Sequence, residues 1–368
     1  MKKVAVFGST GSIGRQALEV IASHSDELQL VCIAASTNAG LLLQQAKAFD
    51  VNDVILSRGD ANLYPNIRCG HSALEDYAQE GDYDILLVAV TGLDGLKPTI
   101  AALRRGKRVA LANKESLVLG GKFVLDALKD GGELLPVDSE HAAIHQCLAS
   151  GRQIDSLLLT CSGGALRDYP LDRLDRVTLA DVMRHPTWDM GTKITIDCAT
   201  MVNKALEVAE AHYLFGVPFD RIEVVMHPES IVHSMVRFAD GSVLAQMAMP
   251  DMRLPIQYAL LYPNAARSLV ERLDFARLTL HFDAPDPVRY PSFGLGVDCL
   301  SIGGAKAAAF VAADQVATQA FADGSIGYKE IHTIIENTVS RFDGEIDSID
   351  ELERIYIEAL DLAGGLIK

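Results

Sequence analysis

Over the first third of the chain, apolar residues come in short unbroken runs: "KVAVFG", "LQLVCIAA", "DVILS", "DILLVAV" and "RVALA". Runs of this kind, with β-branched residues and no polar alternation, suit strands buried on both faces of a parallel sheet. Between them lie stretches with helical periodicity: Ile13 to Ala22, "AGLLLQQAKAF", "SALEDYAQ" and "LDGLKPTIAALRR". Strand and helix in alternation predict an α/β fold, a doubly wound domain of Rossmann type over residues 1–137.

The pattern changes after "ELLPVDSEHAAIHQ", residues 133–146, where an apolar run ends in Asp138-Ser139-Glu140 and a helix is expected to follow. A second clear helix runs from Ala199 to Gly216. Val202, Ala205, Leu206 and Ala209 mark one side of it, and Asn203, Lys204 and Glu207 share another. Residues 266–292 end in the proline-rich "APDPVRYPS" and read as a connecting segment. Three helical runs then fill 293–368 and predict a helical C-terminal domain. The expected organisation is 1–137, 138–265, the connector 266–292, and 293–368.

Composition narrows the class. At 368 residues the chain exceeds one ordinary core, and with 49% hydrophobic and 22% charged residues it is globular. No run approaches the roughly 20 apolar residues of a membrane span. The first apolar run breaks at Gly8, too early for a secretory leader. A net charge of −16 argues against a nucleic-acid partner. The cysteines Cys32, Cys69, Cys147, Cys161, Cys198 and Cys299 show no CxxC pairing. They suggest neither a zinc site nor a disulfide framework, so a reducing, cytoplasmic setting is expected.

Candidate chemistry begins at "GSTGSIG", where Gly8, Gly11 and Gly14 stand between the first strand and the first helix. Bare backbone and a helix N-terminus suit a dinucleotide pyrophosphate. A glycine-rich turn without a ligand has the same composition, but the strand before and the helix after favour binding. The second strand ends in Ser36, Thr37 and Asn38, with no acid for a ribose 2′-hydroxyl. That favours the 2′-phosphate of NADP, which a carboxylate would repel. Asn113, Lys114 and Glu115 fall at the carboxyl edge of the sheet, where ligands bind in open α/β folds. Asp138 and Glu140 stand two apart, and in an extended segment they would point to the same side. A divalent cation such as Mg²⁺ or Mn²⁺ would relieve their repulsion. The other reading is a helix cap, with Asp138 or Ser139 capping a helix from His141. "HPTWDMG", residues 185–191, holds the single Trp in a loop that suits a lid.

Taken in order, "GSTGSIG", "LANKESLV", "VDSEHAAIHQ", "TCSGG", "HPTWDMG", "MVNKALEVAEAHYLF", "HPESIVHSMVRF" and "PDMRLPIQYA" resemble the 1-deoxy-D-xylulose 5-phosphate reductoisomerase family. The resemblance runs from residue 8 to about 260. It implies an oxidoreductase that uses NADPH and one divalent metal, Mg²⁺ or Mn²⁺ with Co²⁺ as a further candidate, on a sugar phosphate. It implies a central α+β catalytic domain over 138–265 and a homodimer formed through the central sheet. By position, Asp138, Glu140 and Glu207 would be the metal ligands, with Lys114 and His185 also catalytic. Ser139 would contact the substrate backbone, and Ser162, Cys198, Asn203 and Lys204 its phosphate. His185, Trp188 and Met190 would belong to the flap. NADPH would lie on Thr10, Gly11, Ser12 and Ile13, with Ser36, Thr37 and Asn38 at its 2′-phosphate, Asn113 and Glu115 near the ribose, and Gly191 closing over it.

The chain departs from the family's common pattern in places. Ser36-Thr37 replaces Gly and a basic residue, Cys198 a serine, and Ala165-Leu166 Pro-Phe. Val311 to Gln315, "VAADQ", stands where Asn-Glu ends the segment. Two other classes share the Rossmann layout. A semialdehyde or homoserine dehydrogenase needs a catalytic cysteine or lysine dyad and no three-acid site, and an NADP sensor has no use for a metal.

Overall fold

Strand β1, Lys2–Phe7, has Val4, Ala5, Val6 and Phe7 fully buried, so both of its faces need cover. Six further strands supply the sheet: β2 (Leu28–Ala35), β3 (Asp53–Leu56), β4 (Arg68–Cys69), β5 (Ile85–Val88), β6 (Arg108–Leu111) and β7 (Glu133–Pro136). All neighbours run parallel, in the order β4-β3-β2-β1-β5-β6-β7. The helices between them are α1 (Ser12–Ser23), α2 (Ala39–Phe49), α3 (Ala73–Glu80), α4 (Leu96–Arg104) and α5 (Lys114–Leu128). The chain leaves β1 towards β2 on one side and resumes at β5 on the other. This is a switch in strand order, and it opens a crevice at the carboxyl ends of the strands. Pro136 fits at the end of β7 because that strand is an edge.

The computed structural model describes residues 1–184, 188 and 190–367. The chain divides into two units, Met1–Ala142 with Asp251–Arg272, and Ala143–Pro250 with Leu273–Lys368. The first boundary, between Ala142 and Ala143, falls within the residues of helix α6 (Ser139–Leu148).

The second unit is built on a four-stranded sheet of β8 (Ile154–Cys161), β9 (Ile222–Met226), β10 (Val232–Phe238) and β11 (Val243–Met247), in the order β11-β10-β8-β9. β10 is antiparallel to both of its neighbours, and β8 is parallel to β9. Helices α7 (Leu179–Val182), α8 (Thr192–Thr200) and α9 (Val202–Phe215) come between β8 and β9. Ile144 and Cys147 of α6 and Val208 and Ala211 of α9 form one core with Leu157, Leu159, Val236 and Phe238 of the sheet.

Helix α10 (Arg253–Leu261) belongs to the first unit, although the sequence reading placed 138–265 in one central domain. Its Ile256, Ala259 and Leu260 are fully buried with the strands of the parallel sheet, and Gln257 lies 3.2 Å from His24 of that unit. The C-terminal helices α11 (Pro291–Ile302), α12 (Gly304–Ala322), α13 (Tyr328–Val339) and α14 (Ile349–Leu366) fall in the same unit as the four-stranded sheet instead of standing apart, with α11 against α9 and α12 against α8. Gly296 allows this. A side chain there would meet Ala205 of α9 at 2.7 Å and Phe310 of α12 at 2.6 Å.

Candidate active site

The glycine-rich turn is shaped by close backbone contacts. Gly8 leaves β1 at φ +92°, and the N–H groups of Gly8 and Ser9 both donate to Ala34 O at 2.9 Å. A Cβ at Gly8 would lie 2.3 Å from Ala89 O, just past β5, and one at Gly14 only 2.1 Å from Gly8 O. Glycine at 8 and 14 is therefore a steric necessity. Helix α1 starts with Gly11 as its cap and no side chain bonded to its first amides. Those amides, with the positive end of the helix dipole, can receive a phosphate. Thr10, Gly11, Ser12 and Ile13 all lie in this turn. Buried Gln45 of α2 braces it, accepting from Ser9 Oγ at 2.8 Å and donating to Ser9 O at 2.9 Å. That residue was not foreseen, because a glutamine inside a helical run carries no pattern of its own.

Ser36, Thr37 and Asn38 are exposed beyond β2, and Asn38 caps α2 by accepting from Leu41 N at 3.2 Å. Asn113 does the same for α5, accepting from Ser116 N at 3.1 Å, and its amide donates to Glu115 at 2.7 Å and to Gly92 O at 3.0 Å. Being 2% exposed, Asn113 chiefly orders this edge.

Lys114, next in the chain, is buried and forms an ion pair with Asp138. Asp138 follows β7, and its carbonyl accepts from Ala142 N at 2.9 Å, so it stands at the N-cap position of α6. The helix starts at Ser139, two residues earlier than the sequence suggested. Glu140 is thus in a helical turn and not in an extended segment, yet the expected convergence holds, with a carboxylate oxygen of Asp138 and one of Glu140 within 4.8 Å of each other. Ser139 Oγ donates to Glu140 Oε2 at 2.5 Å, and buried His141 lies 3.6 Å from Asp138 Oδ2.

In the second unit, α9 brings Asn203, Lys204 and Glu207 together. The sequence suggested a polar face for them, yet they are 9%, 4% and 1% exposed. Asn203 Nδ2 and Lys204 Nζ both donate to the Glu207 carboxylate, and Lys204 Nζ also reaches Thr160 O at 2.6 Å. Ser162 lies in the following "SGG" loop, where its Oγ accepts from Gly164 N at 3.2 Å. A Cβ at Gly164 would lie 2.8 Å from Cys198 O, so this loop presses on α8 beside half-buried Cys198. Trp188 lies with its ring centroid 6.4 Å from that of His233. Met190 is half-buried, and exposed Gly191 caps α8. His185 lies outside the described residues. A further cluster was missed in the sequence: Lys193 Nζ donates to Asp197 at 2.6 Å and to Asp314 of α12 at 2.7 Å, tying α8 down.

The donor set suits a hard divalent cation, being all carboxylate oxygen. Asp138 and Glu207, one in each unit, both sit against a lysine ammonium.

A switch-point crevice behind a glycine-rich turn, with buried lysine–carboxylate pairs elsewhere, defines a Rossmann-type dinucleotide-dependent oxidoreductase. Comparison with known proteins narrows the class. The model of 1-deoxy-D-xylulose 5-phosphate reductoisomerase matches residues 4–121, and two models of its C-terminal domains match 134–215 and 247–360. The chain belongs to the 1-deoxy-D-xylulose 5-phosphate reductoisomerase family. It is 45% identical to the Geobacter metallireducens reductoisomerase, over 92% of each chain. It is 42% identical to the chloroplastic enzyme of Mentha piperita, over 100% of this chain and 82% of that one. The Zymomonas mobilis enzyme, solved in complex with NADPH, superposes with a TM-score of 0.91 at 38% identity, covering 100% of this chain and 99% of that one. A reductoisomerase solved with NADPH, fosmidomycin and magnesium gives 0.94 at 33% identity, covering 100% and 98%.

Proposed function

We propose that this chain converts 1-deoxy-D-xylulose 5-phosphate to 2-C-methyl-D-erythritol 4-phosphate, an isoprenoid-precursor step, using NADPH and a divalent metal, Mg²⁺ or Mn²⁺. The observation that carries the site assignment is a lysine buried against a carboxylate in each unit, Lys114 with Asp138 and Lys204 with Glu207. Buried charges of this kind are expensive to keep and mark function.

Asp138, Glu140 and Glu207 hold the metal. What supports this is the family match together with a donor set made only of carboxylate oxygen. When bound, the metal acts as a Lewis acid on adjacent carbonyl and hydroxyl oxygens of the substrate. Lys114 adds positive charge beside Asp138, and Ser139 holds the substrate backbone. Ser162, Cys198, Asn203 and Lys204 grip the phosphate, whose binding energy orients the reacting carbons. His185, Trp188 and Met190 cover the site as a flap. The carbon skeleton would rearrange by retro-aldol cleavage and aldol recombination, and bound NADPH would supply the hydride for the reduction. Thr10, Gly11, Ser12 and Ile13 hold the pyrophosphate, Ser36, Thr37 and Asn38 the 2′-phosphate, Asn113 and Glu115 lie near the ribose, and Gly191 closes over the cofactor.

The chain works as a homodimer through the central sheet. Its edge strand β11 leaves Val243 44% and Leu244 39% exposed, an apolar edge that a second copy would cover. A monomeric mass by light scattering would contradict this. A cytoplasmic setting agrees with six free cysteines, and no helix among the described residues is long and apolar enough to cross a membrane.

The deciding experiment follows NADPH oxidation at 340 nm with 1-deoxy-D-xylulose 5-phosphate. Oxidation should need both the sugar phosphate and Mg²⁺ or Mn²⁺, stop with a chelator, and run much slower with NADH. Oxidation that ignores the chelator, or none with every component present, would refute the assignment.

A further inference from the structure

A 2′-phosphate carries nearly two negative charges, and the end of β2 offers only the neutral groups of Ser36, Thr37 and Asn38. Asn38 is partly committed, because its side-chain oxygen caps α2. Neutral donors can orient a phosphate, but charge neutralisation takes a cation, and a guanidinium fits phosphate oxygens two at a time.

The first unit brings one to this place from a different strand. Arg58 follows β3. The β2–β3 pairing continues past both strands, with Ser57 N donating to Ala35 O and Arg58 N to Ser36 O, each at 3.0 Å. The backbone of Arg58 is thereby pinned beside Ser36. Its side chain is 55% exposed, and Nη2 reaches Asp94 Oδ2 at 3.4 Å. Asp94 lies in the short turn Gly92–Gly95 after β5. In the sheet order β3-β2-β1-β5, two strands separate these anchors. At about 4.8 Å per strand the anchors stand roughly 14 Å apart. Arg58 and Asp94 must therefore lean towards each other over the carboxyl ends of β2 and β1. That edge is where Gly8 turns, and where the adenosine half of a dinucleotide has to lie.

We propose that Arg58 selects the 2′-phosphorylated cofactor, exchanging its exposed contact with Asp94 for the phosphate held beside Ser36 and Thr37. An ion pair this long and this exposed is weak and readily given up. A dianion in its place accepts charge-assisted bonds from a side chain whose backbone is already fixed. In this chain the cation reaches the phosphate from the end of β3, where the end of β2 has none. Asp94 competes with the phosphate for the guanidinium, so it opposes binding and is not part of the site.

The inference rests on the NADPH reading above, and the test separates the two. Calorimetry on the full chain without substrate compares 2′,5′-ADP with 5′-AMP, and NADPH with NADH. Wild type should bind the phosphorylated member of each pair at least tenfold tighter. If it does not, the NADPH reading falls and this inference falls with it. Where wild type discriminates, Arg58→Ala should lose tenfold to a hundredfold in affinity for 2′,5′-ADP and NADPH, while 5′-AMP and NADH stay within twofold. Arg58→Lys should recover part of the loss, and added salt should narrow the gap between wild type and Arg58→Ala. Asp94→Asn should leave 2′,5′-ADP binding unchanged or up to fivefold tighter. Undiminished discrimination in Arg58→Ala would overturn the proposal. So would an equal loss for both members of a pair, or a loss above tenfold for 2′,5′-ADP in Asp94→Asn.

Discussion

Two candidate sites of this protein, the glycine-rich turn after β1 and the polar cluster of α9, are built in opposite ways. In the turn the groups on offer are backbone: Gly8 at φ +92°, helix amides without a side-chain cap, and glycines where a Cβ would collide. On the four-stranded sheet they are side chains, with Asn203, Lys204 and Glu207 buried along α9 and bonded to one another. The first arrangement needs only room and conformation. The second keeps charges out of water, and it is stable only while each charge has its partner. Substitutions in the two sites should therefore fail differently, in cofactor affinity for one and in turnover for the other.

The largest effect should come from Glu207→Gln. The amide keeps the shape and can still accept from Asn203 or Lys204, but the negative charge is gone. Turnover should fall well over about 100-fold and the metal concentration needed should rise, because a ligand and its counter-charge are both weakened. NADPH affinity should hold within about threefold, because Glu207 is not among the residues proposed to hold the cofactor. Lys204 would lose its buried counter-ion, so the melting temperature should also drop while the protein stays folded. Normal turnover with unchanged metal dependence would remove Glu207 from the site.

Gly14→Ala should act on the other side of the comparison. Its methyl would need the space of Gly8 O, 2.1 Å away, so α1 or the turn must shift. Binding of NADPH should weaken by about 10- to 100-fold, an effect of the size that misplaced contacts produce. Metal affinity should not change. Gly40→Ala is the control, since nothing lies within 4 Å of a Cβ there and alanine is the better helix former. If Gly14→Ala bound NADPH like wild type, the cofactor would not depend on this turn.

The same contrast explains what could be read from the sequence. The strands β1, β2, β5 and β6 announce themselves as unbroken apolar runs, because a parallel sheet buries both faces. The glycine turn is equally visible, because steric necessity leaves the residue type no choice. Burial of charge leaves no such mark. Lys204 and Glu207 at i, i+3 look the same in a sequence whether they face water or a core, and only the structure shows α9 covered nearly all round. The return of α10 to the first unit was hidden as well. An apolar helix needs a core, but its sequence does not say which one. Asp138 and Glu140 do come together as the sequence suggested, but across the start of helix α6 and not along an extended segment. Arg58 escaped notice because strand order, which is not legible locally, sets it beside Ser36.

Cys198→Ser should have the smallest effect and tests how fine the side-chain site is. Cys198 lies in the last turns of α8, half-buried, with the "SGG" loop pressed against its carbonyl by Gly164. A thiol is a weak hydrogen-bond donor, so towards a phosphate oxygen it mainly fills space. A hydroxyl is slightly smaller and donates better, and the surrounding helix should hold it in much the same place. Activity should be kept, with KM for the sugar phosphate equal or a few-fold lower. The gain is at most about 1 kcal/mol, the size of one added neutral hydrogen bond. Substrate should also slow alkylation of Cys198 in the unmodified protein. Alkylation indifferent to substrate would place the thiol outside the pocket. A fall in kcat/KM of more than about tenfold, roughly 1.4 kcal/mol, would mean that the sulfur makes a contact a hydroxyl cannot. The phosphate grip would then depend on the shape of residue 198 as closely as the cofactor turn depends on Gly14.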